Sequence, residues 1–201
     1  IADIDAEGGE ETVRRIGSAG GEAAFFLTDV SKESDVESMV QGAVAAYGGA
    51  NVLVNDATAF VFGRVEDVTD ADWQRVMAVN VFGAAHCVRH VLPHMKSAGG
   101  GSVVDIASIS SFIAQAGFIP YNSSKGALLQ LTRCLALDLA PDNIRVNTVL
   151  PGWTLTPFTA PVFDEEFSKN LSERVPLGRV ATPEEIAAGI LFLASDESSY
   201  M

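Results

Sequence analysis

The chain has 201 residues, 48% of them apolar, with 18 glycines, 8 prolines and 26 acidic against 13 basic side chains. That suits one globular domain with a large core; with no lysine or arginine stripe, neither nucleic acid nor an anionic membrane surface is a natural partner. The longest apolar runs, such as AAGILFLA, fall far short of the roughly 20 residues of a membrane span. Cys87 and Cys134 sit in helical patterns without metal-ligand spacing, which suits a reduced compartment, the cytoplasm by default.

In chain order, IADI (Ile1–Ile4) reads as the tail of a strand, EGGEETVRRIGSAG as a helix, AAFFLTDV (Ala23–Val30) as a strand, and Ser38 to Tyr47 as a helix. NVLVN (Asn51–Asn55) is a near-continuous apolar run of the kind expected for a parallel strand covered on both faces. Asp72 to Met95 carries a long helix opened by a capping box of Thr69 and Asp72. GSVVDIAS is another buried strand, Tyr121 to Leu139 a helix ending near Pro141, and RVNTVL (Arg145–Leu150) a further strand. Finally, ATPEEIAAGILFLAS reads as a helix with Thr182 as N-cap, Pro183 in the first turn and Glu185 completing a second capping box. Strands alternating with helices predict an α/β fold in one domain over residues 1–201, a doubly wound parallel sheet with helices on both faces.

In such a sheet ligands bind beyond the carboxyl ends of the strands. The residues found there are Asp3, Thr28-Asp29-Val30, Asn55-Asp56-Ala57-Thr58, Ser108 to Ser111 and Pro151-Gly152-Trp153, with Tyr121 and Lys125 opening a helix at the same edge. A Tyr with Lys four positions on is either a solvated helix face or a catalytic pair, since an ammonium one turn away favours phenolate. Ser108, at a strand end facing that helix, can donate to a carbonyl or developing alkoxide oxygen; Ser110 and Ser111 compete but sit later in the loop. His86, His90 and His94 form an i, i+4, i+8 row, but no Glu or Cys accompanies them and Pro93 disturbs the last turn, so a packed or solvated face is expected and no metal.

Asn80 in VMAVNVFG, Ser108 in VVDIASISS, the pair in YNSSK, and RVNTVLPGWTLT resemble, in order and spacing, the short-chain dehydrogenase/reductase family along the whole chain. The resemblance implies a Rossmann-like fold and an oxidoreductase interconverting a secondary alcohol and a ketone. Tyr121 would be the general acid/base, Ser108 the holder of the substrate oxygen, Lys125 the ligand of the nicotinamide ribose that lowers the Tyr121 pKa, and Asn80 the support of a proton-relay water. Asp3 would accept hydrogen bonds from the adenosine ribose, and Ile4 stands where an NADP enzyme would carry Arg, so NAD is favoured over NADP. By position Asp29 and Val30 approach the adenine, Asn55 and Ala57 line the cofactor path, Pro151 and Gly152 form its turn, and Thr156 reaches the carboxamide. Asp3 as a helix cap, Asp29 as a turn former and Thr156 as an ordinary loop residue are the plain alternatives.

Substrate choice would lie in the loop after Ser108 and in Thr156 to Val175, where Phe158, Phe163 and Phe167 suggest an apolar lid over a small alcohol, sugar or cyclic ketone. Family members pair the helices around Asp72–Met95 and Tyr121–Leu139 with symmetry mates, so a homodimer or homotetramer is expected. Two departures stand out. Asn55-Asp56-Ala57-Thr58 replaces the family's Asn-Asn-Ala-Gly, and the family's first strand and Thr-Gly-x-x-x-Gly-x-Gly turn are absent from the sequence. The expectation is therefore an incomplete domain, cut at both ends, with the strands at Ile1–Ile4 and Ala23–Leu27 left unjoined to NVLVN, that by itself binds NAD very weakly and shows no dehydrogenase activity; a non-catalytic nucleotide-sensing or scaffold protein is the alternative reading.

Overall fold

Val103 and Val104 are inaccessible to solvent, and the architecture follows from how a strand comes to be covered on both faces. The computed structural model describes residues 1–163, 171 and 175–201. In chain order the main elements are β1 (Ala2–Asp3), α1 (Ala6–Ser18), β2 (Phe26–Leu27), α2 (Glu33–Tyr47), β3 (Val52–Asn55), α3 (Asp70–Met77), α4 (Ala84–Ser97), β4 (Gly101–Ile106), α5 (Ile119–Leu139), β5 (Ile144–Val149) and α6 (Pro183–Ala194). All strand pairs are parallel, giving an α/β fold. β4 lies between β3 and β5, with Asn55 opposite Asp105 and Val103 opposite Val146. On one face Val88, Val91 and Met95 of α4 and Leu139 of α5 close over Val103, Ile144 and Val146. α6 also packs on β4 and β5, and Arg145 holds its C-terminal end by donating to the carbonyls of Leu193 and Ser195, each at 3.0 Å.

β1 and β2 pair only with each other and form a separate sheet. This is why the strands expected over Ile1–Ile4 and Ala23–Val30 shrink to two residues each: a two-stranded ribbon without flanking strands gains little from extending its ladder. Among the described residues no strand pairs with the outer edge of β3, and Val52 and Val54 remain 48% and 42% exposed. The reading of β3 as a strand covered on both faces is corrected accordingly, because burial of an apolar run depends on neighbours that local sequence does not name.

Both capping boxes form, Thr69 with Asp72 and Thr182 with Glu185. α2 begins at Glu33 rather than Ser38, with Glu33 and Asp35 in its first turn where the helix dipole favours carboxylates. It ends at Gly48, whose φ of 79° suits a residue without a side chain. The helix expected from Asp72 to Met95 is broken by one π-helical turn, Ala78–Gly83. There Gly83 meets the loop after β2 so closely that a Cβ would stand 2.7 Å from Val30 Cγ2. Pro93 is accommodated within α4, which continues to Ser97. His86 Nδ1 lies 3.3 Å from the Val30 carbonyl and His90 Nε2 3.3 Å from Glu33 Oε1, so these two histidines tie α4 to α2 and its preceding loop. The described residues contain no cluster of three metal-ligating side chains and no helix long and apolar enough to cross a membrane.

Candidate active site

The carboxyl ends of β3, β4 and β5 open onto one cleft of about 480 Å³, lined among others by Asp56, Thr58, Ser108, Tyr121, Lys125, Gly152 and Thr156. Tyr121 and Lys125 reach it because α5 starts at Ile119, with Pro120 in its first turn, and both side chains fall on the helix face turned to β4. Lys125 is buried, and its Nζ donates to the Ile106 carbonyl at 2.7 Å and lies 5.7 Å from the centroid of the Tyr121 ring. Burial pulls this ammonium down to about 8, against the opposing carboxylates of Asp56 and Asp105. The lysine therefore keeps its charge at neutral pH, and loses it in the mildly alkaline range.

Burial holds the Tyr121 phenol above the ordinary tyrosine value, and Ser108 is the group that pulls it back. The expectation that Lys125 lowers the Tyr121 pKa is corrected for this state: the ammonium is committed to the Ile106 carbonyl, and it is the Ser108 hydroxyl that favours the phenolate. Ser108 itself is extended and caps a short 3-10 turn, Ile109–Ser111, accepting from Ser110 N at 3.1 Å. Its two competitors point elsewhere. Ser110 Oγ donates to Gln115 Oε1 at 3.3 Å and Ser111 Oγ to the Lys125 carbonyl at 2.8 Å.

Asn80 lies in the π-helical turn and is 2% exposed. Its Nδ2 donates to the Ala59 carbonyl and to Ser124 Oγ, both at 2.9 Å, while its Oδ1 accepts from Ala59 N at 2.6 Å and Thr58 Oγ1 at 3.3 Å. One side chain thus binds the loop after β3 to α5 and holds the wall opposite Ser108. Thr58, where the family has Gly, is used in that same network.

The family profile described as enoyl-(acyl carrier protein) reductase matches residues 1–201. The chain belongs to the short-chain dehydrogenase/reductase family. A Thermotoga maritima protein named as an uncharacterized oxidoreductase is 40% identical over 206 residues, which is 100% of this chain and 81% of that protein. A 7α-hydroxysteroid dehydrogenase solved with NADH and 7-oxo glycochenodeoxycholic acid superposes with a TM-score of 0.96 at 31% identity, over 100% of this chain and 78% of that one. A gluconate 5-dehydrogenase from Burkholderia cenocepacia, solved with NADP and tartrate, gives 0.93 at 30% identity, over 100% and 79%. This chain is an oxidoreductase of the Rossmann type within the short-chain dehydrogenase/reductase family.

The residues that the resemblance assigns to the cofactor divide into three groups in this short-chain dehydrogenase/reductase. Pro151, Gly152, Thr156, Tyr121 and Lys125 line the cleft. Asp3, Asp29 and Val30 lie on the separate β1–β2 side. Asp3 is exposed at the end of β1, and its Oδ1 accepts from Asp5 N at 2.9 Å. Asp29 accepts from Ser31 Oγ at 2.6 Å and meets Lys32 at 3.4 Å; these partners hold its carboxyl below the usual range. Val30 packs against Val36, Val40 and Cys87. Ala57 is exposed, and Asn55 donates to Asp105 Oδ1 at 2.8 Å rather than toward the cleft. Thr156 Oγ1 shares a 3.0 Å hydrogen bond with Thr159 Oγ1. Of the three expected lid residues, Phe158 lines the cleft and Phe163 meets Trp153 with ring centroids 5.9 Å apart, whereas Phe167 lies outside the described residues.

Sequence reasoning passed over Asp105, although one acid inside the run SVVDIA is a detectable signal. It is fully buried between Asn55 and Thr132 Oγ1, the latter donating at 2.7 Å, and desolvation raises its pKa despite both bonds and the Lys125 charge. A carboxyl raised in the folded state contributes stability at low pH that is lost as pH climbs through the folded value. Asp105→Asn keeps an amide acceptor for Asn55, and Thr132 retains its 2.9 Å bond to the Leu128 carbonyl. Urea titrations should therefore show the midpoint of Asp105→Asn gaining on the parent as pH rises from the ordinary carboxylate range through the raised folded-state value. A constant offset across that range would contradict the assignment.

Proposed function

We propose that this chain interconverts a secondary alcohol and a ketone with NAD(H), using Tyr121 as the general acid/base. The observation that carries this reading is the convergence of Ser108, Tyr121 and Lys125 on one cleft at the carboxyl edge of the sheet. The residues present fit the cofactor: Lys125, a buried ammonium, would hold the ribose, Thr156 the carboxamide, and the exposed carboxylate of Asp3 the adenosine hydroxyls. Asp3 followed by Ile4 supports NAD, because a 2′-phosphate would meet a carboxylate without a neighbouring cation. When bound, the nicotinamide supplies a hydride acceptor or donor.

The chain's residues manage the oxygen. Ser108 and Tyr121 both hydrogen-bond the alcohol oxygen, which fixes its carbon at transfer distance. As the C–H bond gives up its hydride, the O–H proton passes to the phenolate of Tyr121 and the C=O bond forms. In the reverse direction the neutral phenol returns the proton to the alkoxide. Asn80 keeps the wall beside Tyr121 rigid, with Ser124 as its anchor. Assaying reduction of NAD by a full-length protein that contains this chain, against a panel of secondary alcohols, tests the reading, and activity with none of them would defeat it.

The two unpaired cysteines support a reducing compartment, the cytoplasm. Phe82 on the π-helical turn, and Phe112 and Ile113 before α5, are more than half or half exposed, and together with Leu137 of α5 they support association of the chain through α4 and α5. Light scattering at micromolar concentration should give a dimer or tetramer; a monomer throughout would remove the claim.

A further inference from the structure

Phe60 and Phe62, in the loop after β3, are used by none of the roles above, yet Phe60 builds the wall beside the phenol. Phe60 lies with its ring centroid 4.3 Å from that of Tyr121, the planes inclined by 35°. Phe62 at 4.3 Å, Phe118 at 5.3 Å and Phe158 at 5.9 Å surround it. These rings come from three separate segments, two of them joined where Gly63 N donates to the Gly117 carbonyl at 2.8 Å. Phe60, Phe118 and Phe158 all line the cleft, and Ile186 and Ile190 of α6 also contribute to its lining.

Several polar side chains of the described lining are already hydrogen-bonded within the protein. Thr58 bonds Asn80, Ser110 bonds Gln115, Thr154 bonds the Gly152 carbonyl, and Thr156 bonds Thr159. The charged residues among the described lining are Asp56 and Lys125, and Lys125 already serves the Ile106 carbonyl. A substrate carboxylate in this space would lose its water and meet Asp56. A polyol would bury hydroxyls without partners, which is a large penalty relative to an apolar ring.

We infer that the cleft takes a secondary alcohol carried on an uncharged carbocycle, or the matching ketone, and that Phe60 selects it by packing that ring against the aromatic wall beside Tyr121. This rests on the alcohol/ketone reading of the same site. A ring set there presents its carbinol oxygen to Ser108 and Tyr121 while its methylenes face Phe60, Phe118 and Phe158. A small acyclic alcohol reaches the same hydroxyls but leaves the wall unfilled.

Binding is read without turnover by saturation-transfer NMR on the chain, with cyclohexanone, acetone, cyclohexanecarboxylate and sorbitol as probes. Cyclohexanone should bind about tenfold or more tighter than each of the others, and Phe60→Ala should shrink its advantage over acetone about tenfold. Phe158→Ala, at the 65% exposed end of the cluster, should shrink it less, and it guards against a misfolded Phe60 variant because its removal disturbs little packing. Equal binding of cyclohexanone and acetone, tighter binding of sorbitol or the carboxylate, or a ratio insensitive to both substitutions would overturn the inference. Oxidation of sorbitol in preference to cyclohexanol would overturn it while leaving the alcohol/ketone reading standing. Phenylalanine-dependent binding of cyclohexanone with no alcohol oxidised would support the substrate class and defeat the reaction.

Discussion

Tyr121→Phe is expected to lower turnover of any accepted alcohol by about a hundredfold to ten-thousandfold while leaving NAD binding nearly intact. The phenol oxygen is the proton acceptor in oxidation and the donor in reduction, and among the described residues it is the titratable group hydrogen-bonded to Ser108. Lys125 is held on the Ile106 carbonyl, and Asp105 is sealed between Asn55 and Thr132. The loss is chemical rather than structural, because phenylalanine keeps the ring packed against Phe60 and gives up only the contact with Ser108. The variant should unfold within about 1 kcal/mol of the parent, the net worth of one hydrogen bond. Steady-state rates with calorimetric NAD titration separate the two effects; retention of more than about a twentieth of parent turnover would refute the acid/base role, which should contribute at least a hundredfold.

Lys125→Met should have the next largest effect, about a hundredfold or more in kcat/KM, through loss of the buried cation proposed to hold the cofactor ribose. It should also change the pH profile. With its ammonium lowered to about 8, the parent should lose efficiency as pH rises past that value, and the methionine variant should show no such limb. Stability moves in the opposite sense. Between about 8 and the ordinary value of 10.5 the folded protein binds fewer protons than the unfolded chain. Stability therefore rises with pH in that window, and the contribution is lost as pH falls through 8. Methionine removes this dependence but leaves the Ile106 carbonyl without its donor, a penalty of about 1–3 kcal/mol. Parallel pH–rate and urea-midpoint series on parent and variant check both signs; an unchanged alkaline limb would assign it to another group.

Asp56 and Thr58 show how a departure from the family pattern resolves in three dimensions. The threonine that stands where the family has glycine donates its hydroxyl to Asn80 and joins the network that reaches Ser124. Asp56 stands where the family has Asn. In the structure it lines the cleft and its charge favours the protonated form of Lys125.

The long helices and both capping boxes were legible in the sequence because each rests on local rules. A Thr three residues before its Asp or Glu partner, Pro in a first turn, and apolar side chains at helical spacing need no distant neighbour to act. The same holds for Tyr121 and Lys125, whose common face follows from one helical turn. Tertiary structure alone decided the rest. Whether Val52 and Val54 are covered, how short β1 and β2 become, and where the helix after Thr69 takes a π-helical turn depend on strands and loops far away in the chain. So do the pairing of Asn55 with Asp105, 50 residues apart, and the stacking of Phe60 on Tyr121. Sheet pairing and side-chain packing are contacts between segments whose separation local periodicity does not encode, and only the register of β3 against β4 and the convergence of the loops above them bring those groups within reach.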